Sequence, residues 1–195
     1  SEVTRFIYDF ERLLQETDDD DDPLREYTFG PDNYKEEAHG YGDLVSEYKY
    51  GDGASSYNAY DAQWNTAALM DDGGSATDRY TYRAFGLQTH TAGSSDTRMT
   101  FAGKQGYYQD EELELYFLSM GNSGCGGRFY DPDQGRFLSK DRVQDDPVNP
   151  YRYVRNNPVN VIDPSGESPR RNRQNLRSVV SAFASKQVQL GIGRV

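Results

Sequence analysis

Residues 127–166 read GRFYDPDQGRFLSKDRVQDDPVNPYRYVRNNPVNVIDPSG. The stretch is dense in aromatic residues and is broken by Asp-Pro and Asn-Asn-Pro steps. Asp opens turns by bonding to the backbone ahead of it, and Pro fixes φ. Gly135, closing Asp131-Pro132-Asp133-Gln134-Gly135, is free to take φ > 0. Such a run folds as short strands between tight turns, with short helical turns where the Asn-Asn-Pro step falls.

Outward from this stretch the composition agrees. The chain has 195 residues with 16 Tyr, 9 Phe and 19 Gly, although hydrophobic residues make up only 35%. Aromatic rings bury much area per residue and suit pleated, half-buried surfaces, so the expectation is mainly β structure with many turns. The net charge of −11 argues against nucleic acid or an anionic membrane as the main partner. No apolar run approaches the ~20 residues of a membrane-spanning helix. The first residues, Ser1-Glu2-Val3-Thr4-Arg5, carry no signal-peptide pattern. They enter a repeat-like pattern at once, which suggests a piece of something larger.

That pattern is an aromatic-x-aromatic step at Phe6-Ile7-Tyr8, Tyr27-Thr28-Phe29, Tyr48-Lys49-Tyr50 and Tyr80-Thr81-Tyr82. The first three lie 21 residues apart and the fourth 32 further on, while Tyr60-Asp61 precedes Tyr82-Arg83 by 22. Alternation along a strand puts both rings of a step on one face. Turn residues follow most steps, so the spacing predicts consecutive antiparallel hairpins carrying aromatic ladders. A rival reading exists for the first unit, where Phe6, Phe10, Leu13 and Leu14 also fit a helical stripe. The alternation of Thr4, Phe6 and Tyr8 favours a strand.

Together these blocks resemble the RHS/YD-repeat proteins. Tyr8-Asp9 with Arg12-Leu13, and Tyr60-Asp61, resemble YD repeats. Gly127–Pro132, Gly135–Ser139, Asn149–Val154, Asn156–Asn160 and Asp163–Gly166 resemble, in order, the RHS repeat-associated core. The resemblance implies YD-type repeat hairpins over 1–98, a core over 99–166 that plugs the shell, and a variable tail over 167–195. It implies a shell and plug packed against its own upstream repeats or its C-terminal segment, in a larger secreted or cell-surface protein. Ser119–Gly126, rich in Gly and Ser, interrupts the core as an insert expected to form a loop.

The same resemblance implies self-cleavage by an aspartyl mechanism after the last Asp-Pro-x-Gly, between Gly166 and Glu167. Two carboxyl groups held close cannot both ionise comfortably, so one activates water while the other gives a proton. Carried over by motif, these are Asp141 and Asp163, with Arg136 as the attendant cation. Two positions depart from the family: Arg142 follows Asp141 where Pro is common, and Glu167 stands where Leu is common. Asp-Pro also occurs at Asp22-Pro23, Asp131-Pro132 and Asp146-Pro147, mainly as a way of starting turns. Without cleavage, Arg136, Asp141 and Asp163 are expected to form a structural network.

Other candidates carry less. Asp18–Asp22 lacks the spacing, glycine and distal Glu of a calcium loop and reads as a solvated turn. His39 and His90, the only histidines, show no metal spacing, and no cofactor is expected. Cys125 has no evident base beside it, and the single Trp64 suits a hairpin face. Beyond Gly166 the balance inverts, with six Arg or Lys against one Glu, which leaves −16 on residues 1–166. Leu176, Val179, Val180 and Phe183 fall on one helical face after a possible Asn175 cap. This basic amphipathic helix is expected to dock on the acidic body in preference to a membrane. A third functional class, adhesion to cell-surface glycans through exposed tyrosines, rests on Tyr abundance alone.

Overall fold

The computed structural model describes residues 4–9, 12–30, 43–118, 127–142, 146, 148–167 and 170–171. The Ser119–Gly126 insert, Cys125, His39, Phe10 and the helix expected around 175–183 lie outside these residues. The fold is mainly β, as the turn chemistry predicts. Eight strands, β1 (Arg5–Asp9), β2 (Arg12–Thr17), β3 (Pro23–Phe29), β4 (Leu44–Lys49), β5 (Ala54–Tyr60), β6 (Thr66–Met70), β7 (Ala76–Tyr82) and β8 (Gln88–Ala92), pair in strict chain order. Every pairing is antiparallel. The first unit is therefore strand, not helix.

Asp residues close these hairpins as expected. Asp61 Oδ1 accepts the amides of Gln63 and Asn65 at 2.8 and 3.0 Å, and Asp71 Oδ1 accepts Ser75 N–H at 2.8 Å. In the acidic run, Asp18 Oδ1 accepts Asp20 and Asp22 N–H at 3.0 and 2.9 Å, so it too is a self-bonded turn. The ladder shifts register beside Tyr8, Phe29, Tyr60 and Tyr80. Such bulges increase local twist.

That inner face carries Leu13, Tyr27 and Leu44, buried with Met99 and flanked by Phe29 and Tyr108. Of the four aromatic steps, Tyr27-x-Phe29 and Tyr80-x-Tyr82 point inward. Tyr48 instead faces Glu26 across the ladder and meets Tyr50 edge-on at 4.9 Å on the outer side. Phe6 points inward but lies at the sheet edge, 42% exposed, where it meets Tyr108 edge-on at 5.3 Å.

Two tyrosines 22 residues apart repeat one contact. The Tyr60 hydroxyl donates to the Leu44 carbonyl and the Tyr82 hydroxyl to the Thr66 carbonyl, each at 2.7 Å. Leu44 is the cross-strand partner of Phe29, and Thr66 that of Tyr60. Each tyrosine therefore clasps the backbone opposite an aromatic residue of the preceding unit.

Residues 93–102 then cross the inner face as a strap. Ser95 N–H bonds Asp78 at 2.8 Å, and Asp96 pairs with Arg25 at 2.5 Å and Lys49 at 3.2 Å. The Thr97 hydroxyl donates to Glu47 at 2.8 Å, and the Thr66 hydroxyl to Met99 C=O at 2.6 Å. A 3-10 turn (Gly103–Gln105) follows, with Lys104 over Trp64 at 5.3 Å and on Asp43 at 3.1 Å.

The strap delivers the chain into a second antiparallel sheet of β9 (Tyr108–Asp110), β10 (Leu115–Leu118), β11 (Arg128–Asp131) and β12 (Arg136–Phe137). A second 3-10 turn (Val154–Asn156) and the pair β13 (Val161–Ile162) and β14 (Arg170–Arg171) complete the described chain. Its core is an aromatic box around Phe101, with Tyr107, Tyr116, Tyr130, Phe137 and Tyr153 all fully or almost fully buried. Tyr82 of the first sheet packs against it, so Phe101 lies where the two sheets meet.

Candidate functional site

β11 reads Arg128-Phe129-Tyr130-Asp131, and side chains alternate across the sheet. Tyr130 points into the box, so Arg128, two residues earlier, points inward as well. Its guanidinium lies over the face of the buried Phe137 ring, 3.5 Å from the centroid. This contact holds the planar fork in one orientation while its cation is favoured by the ring.

The fork is occupied on every side. Nη2 lies 3.4 Å from Asp163 Oδ2 and 3.7 Å from Asp141 Oδ2, and Nη1 donates to Pro150 C=O at 3.4 Å. Nε donates to the carbonyl of Gly166. Arg128, Asp141 and Asp163 are all buried, Asp163 to 1% exposure. Burial pulls the Arg128 guanidinium below its usual range, against the opposing pull of Asp163, Asp141 and Glu167.

Asp141 and Asp163 therefore converge on one cation, although they stand 22 residues apart in sequence. Asp141 is fixed through its amide, which donates to Pro150 C=O at 2.9 Å. Asp163 directly follows β13, and its amide donates to the Tyr107 hydroxyl at 2.9 Å. The Asp163 carboxyl group divides its oxygens: Oδ2 faces Arg128, and Oδ1 accepts Glu167 N–H at 3.1 Å and the Ser165 hydroxyl at 3.5 Å. Gly166 takes φ +71 and is buried against Leu118 and Arg128. The tight Asp-Pro-Ser-Gly turn is what brings the amide of Glu167 back onto Asp163.

The Gly166–Glu167 peptide is thus gripped at both ends, its carbonyl oxygen by Arg128 and its nitrogen side by Asp163. The group that meets the carbonyl oxygen is a guanidinium. Arg136, the cation expected from sequence, is elsewhere. It is exposed, lies over the Tyr151 ring at 5.2 Å, and meets Arg152 through backbone pairing. The reason is parity: in β12, Phe137 takes the inward position, so its neighbour must face out. The same period-two argument, applied to Arg128 and Tyr130, was the signal that singles out Arg128.

The remaining candidates stay apart from this cluster. His90 stacks on Tyr80 at 4.4 Å and meets Asp78 at 3.0 Å. Among the described residues no group of three or more His, Cys, Asp or Glu could hold a metal ion. No helix of the described chain is long and apolar enough to cross a membrane. The outward phenols Tyr50 and Tyr57 bond Glu26 and Asp72, at 3.1 and 3.0 Å.

No protein-family model matches the chain. The tRNA3(Ser)-specific nuclease WapA of Bacillus spizizenii is 33% identical over 174 residues, spanning 84% of this chain and 7% of that protein. The tRNA nuclease WapA of Bacillus subtilis matches to the same extent. The double-stranded DNA deaminase toxin A of Burkholderia cenocepacia is 36% identical over 77 residues, 39% of this chain and 5% of that protein. Among solved structures, TcdB2-TccC3-Cdc42 superposes with a TM-score of 0.60 at 21% identity, covering 85% of this chain and 8% of that one. TcdB2-TccC3 gives 0.59 at 22% identity over the same share of each chain. The chain spans less than a tenth of each of these proteins.

Proposed function

We propose that the chain is the closing segment of an RHS-type protein's toxin shell, a reading supported by its 33% identity to WapA over 174 residues. In this reading the eight-stranded sheet continues an upstream wall, and the second sheet caps it. One observation carries the proposal: Phe101, at the end of the strap, is shared by Tyr82 of the wall and by Tyr107, Tyr116, Tyr130 and Tyr153 of the cap. A lid that locks through a buried aromatic box cannot leave without exposing it. The upstream wall would pair with the edge of β1 that no described strand occupies, β1 being first in its sheet. Amide exchange tests this. Residues Arg5–Asp9 should exchange fast in the isolated chain and slowly in the parent protein, and equal rates in both would refute it. On this reading the protein acts outside its producing cell, and residues past Gly166 lead into its cargo.

A second reading concerns chemistry, and the grip on the Gly166–Glu167 peptide favours it. The cluster is a self-cleaving aspartyl centre that acts once. Asp141 takes a proton from water, whose oxygen attacks the Gly166 carbonyl carbon. Arg128 Nε receives the charge that develops on the carbonyl oxygen. In this reading Asp163 enters protonated and passes its proton to the Glu167 nitrogen as the tetrahedral carbon collapses. The C–N bond breaks, leaving a Gly166 carboxyl group and a Glu167 amine, and the proton on Asp141 restores the pair. Intact mass under denaturing conditions is the test. Loss of residues 167–195, restored to full length by Asp141→Asn, supports the reading, and a parent chain that stays whole overturns it.

A further inference from the structure

We propose that the Tyr107–Tyr153 hydroxyl pair positions Asp163 for proton transfer to the Glu167 nitrogen, an inference that rests on the self-cleavage reading. Both tyrosines are fully buried, and their hydroxyls lie 3.0 Å apart. They come from different elements: Tyr107 follows the 3-10 turn Gly103–Gln105, and Tyr153 immediately precedes the turn Val154–Asn156. If the aromatic box needed only rings, phenylalanine would fill both places without burying two hydroxyl groups. Tyr107 puts its hydroxyl to a specific use, accepting the Asp163 amide at 2.9 Å. That amide directly follows β13 (Val161–Ile162). Burial is the main cause that raises both phenols, so they remain protonated at any working pH.

The pair therefore fixes the backbone of Asp163 from behind, while Arg128 and the Glu167 amide hold its carboxyl group in front. Without the anchor, the Asp163 backbone is held from the front alone and can shift, carrying Oδ1 with it. A displacement of about 1 Å at such a site costs about 100-fold in rate. Neither tyrosine touches the reacting atoms, and both are positioning residues.

The test follows release of the 167–195 fragment by denaturing mass spectrometry during cell-free synthesis of the full chain, over a range of pH. Tyr107→Phe should slow release about 100-fold and shift the pH–rate profile, because the carboxyl group is no longer held against Arg128. Tyr153→Phe keeps the acceptor for the Asp163 amide but loses the hydroxyl that orients it, and should slow release less. Near-UV circular dichroism reports whether each variant folds. If Tyr107→Phe fails to fold, Tyr153→Phe decides: slowed release with a shifted profile supports the inference, and parental behaviour overturns it. A folded Tyr107→Phe that cleaves at the parental rate with an unshifted profile also overturns it. A parent that never cleaves instead overturns the self-cleavage reading, and the inference with it.

Discussion

Arg128 Nη2 lies 3.4 Å from Asp163 Oδ2 in a region from which water is excluded. The same nitrogen serves Asp141 at 3.7 Å, so one buried cation answers two buried carboxyl groups. This arrangement is stable only while the cation is present, because the cost of burying each charge is recovered through its partner. It also explains why the region from 127 to 166 closes on itself: β11, the segment after β12 and the residue after β13 each contribute one member.

Arg128→Leu should therefore destabilise the fold by about 3–5 kcal/mol at pH 7, the usual cost of orphaning a buried charge. Arg136→Leu, on the exposed side of β12, should change stability by less than about 0.5 kcal/mol. Urea denaturation of the three proteins at pH 7 checks this.

A second buried charge cluster sets the pH response of the first sheet. Burial raises the Glu16 and Glu47 carboxyl groups, more than the Tyr27 and Thr97 hydrogen bonds and Arg25 lower them. A carboxyl group raised on folding makes the folded state bind protons more readily than the unfolded one, so its cost is present at neutral pH and relieved as pH falls. Asp96 runs the other way. Burial pushes it up, but the hydrogen bonds and charges of Arg25 and Lys49 prevail and hold it at about 2, against an ordinary 3.8. Its stabilisation is complete above the ordinary value and disappears as pH falls toward about 2. Glu16→Gln, which still accepts the Tyr27 hydroxyl, should raise stability at pH 7 and lose that advantage at lower pH. Asp96→Asn should destabilise at pH 7 and become neutral in strong acid. Thermal unfolding across pH 2–8 resolves the two opposite slopes.

Gly86 separates backbone strain from steric clash. It takes φ +91, and a Cβ there would stand 2.5 Å from the ring of Phe101, the centre of the box. Gly74 takes φ +78 with nothing within 4 Å of its Cβ position. Gly74→Ala should cost only the left-handed conformation, about 1–2 kcal/mol. Gly86→Ala adds overpacking of about 1–3 kcal/mol. Equilibrium unfolding of both variants gives the difference.

The elements that sequence made legible are those fixed within a few residues. Asp61, Asp71 and Asp131 each bond their own turn, and Tyr27 and Phe29 face inward as strand alternation demands. What sequence hid depends on contacts across the chain. Tyr48-Lys49-Tyr50 has the pattern of an inward ladder, yet its pairing with Glu26 puts it outside. Asp141 and Asp163 were visible through their motif, but nothing local shows that both point at Arg128. Arg136 sits in an equally suggestive Gly-Arg-Phe context, and only its neighbour Phe137, buried in the box, forces it outward. Tyr107 lies outside the Gly127–Gly166 stretch, and only the strap carries it to Asp163.

The repeated tyrosine clasp makes a last prediction about how units communicate. Tyr82 donates to the carbonyl of Thr66, and Thr66 is the residue paired with Tyr60 across β5 and β6. Tyr60 in turn donates to Leu44, opposite Phe29. Each hydroxyl should contribute about 1 kcal/mol, the usual net worth of a buried hydrogen bond, so Tyr60→Phe and Tyr82→Phe should each cost about that much. Independent sites would add. Here the Tyr82 clasp ends on Thr66, the residue paired opposite Tyr60, so loosening one weakens the other's target. The double variant should then cost less than the sum of the singles by about 0.5 kcal/mol or more. A double-mutant cycle by urea denaturation measures the coupling, and strict additivity would mean that each 22-residue unit is clamped on its own.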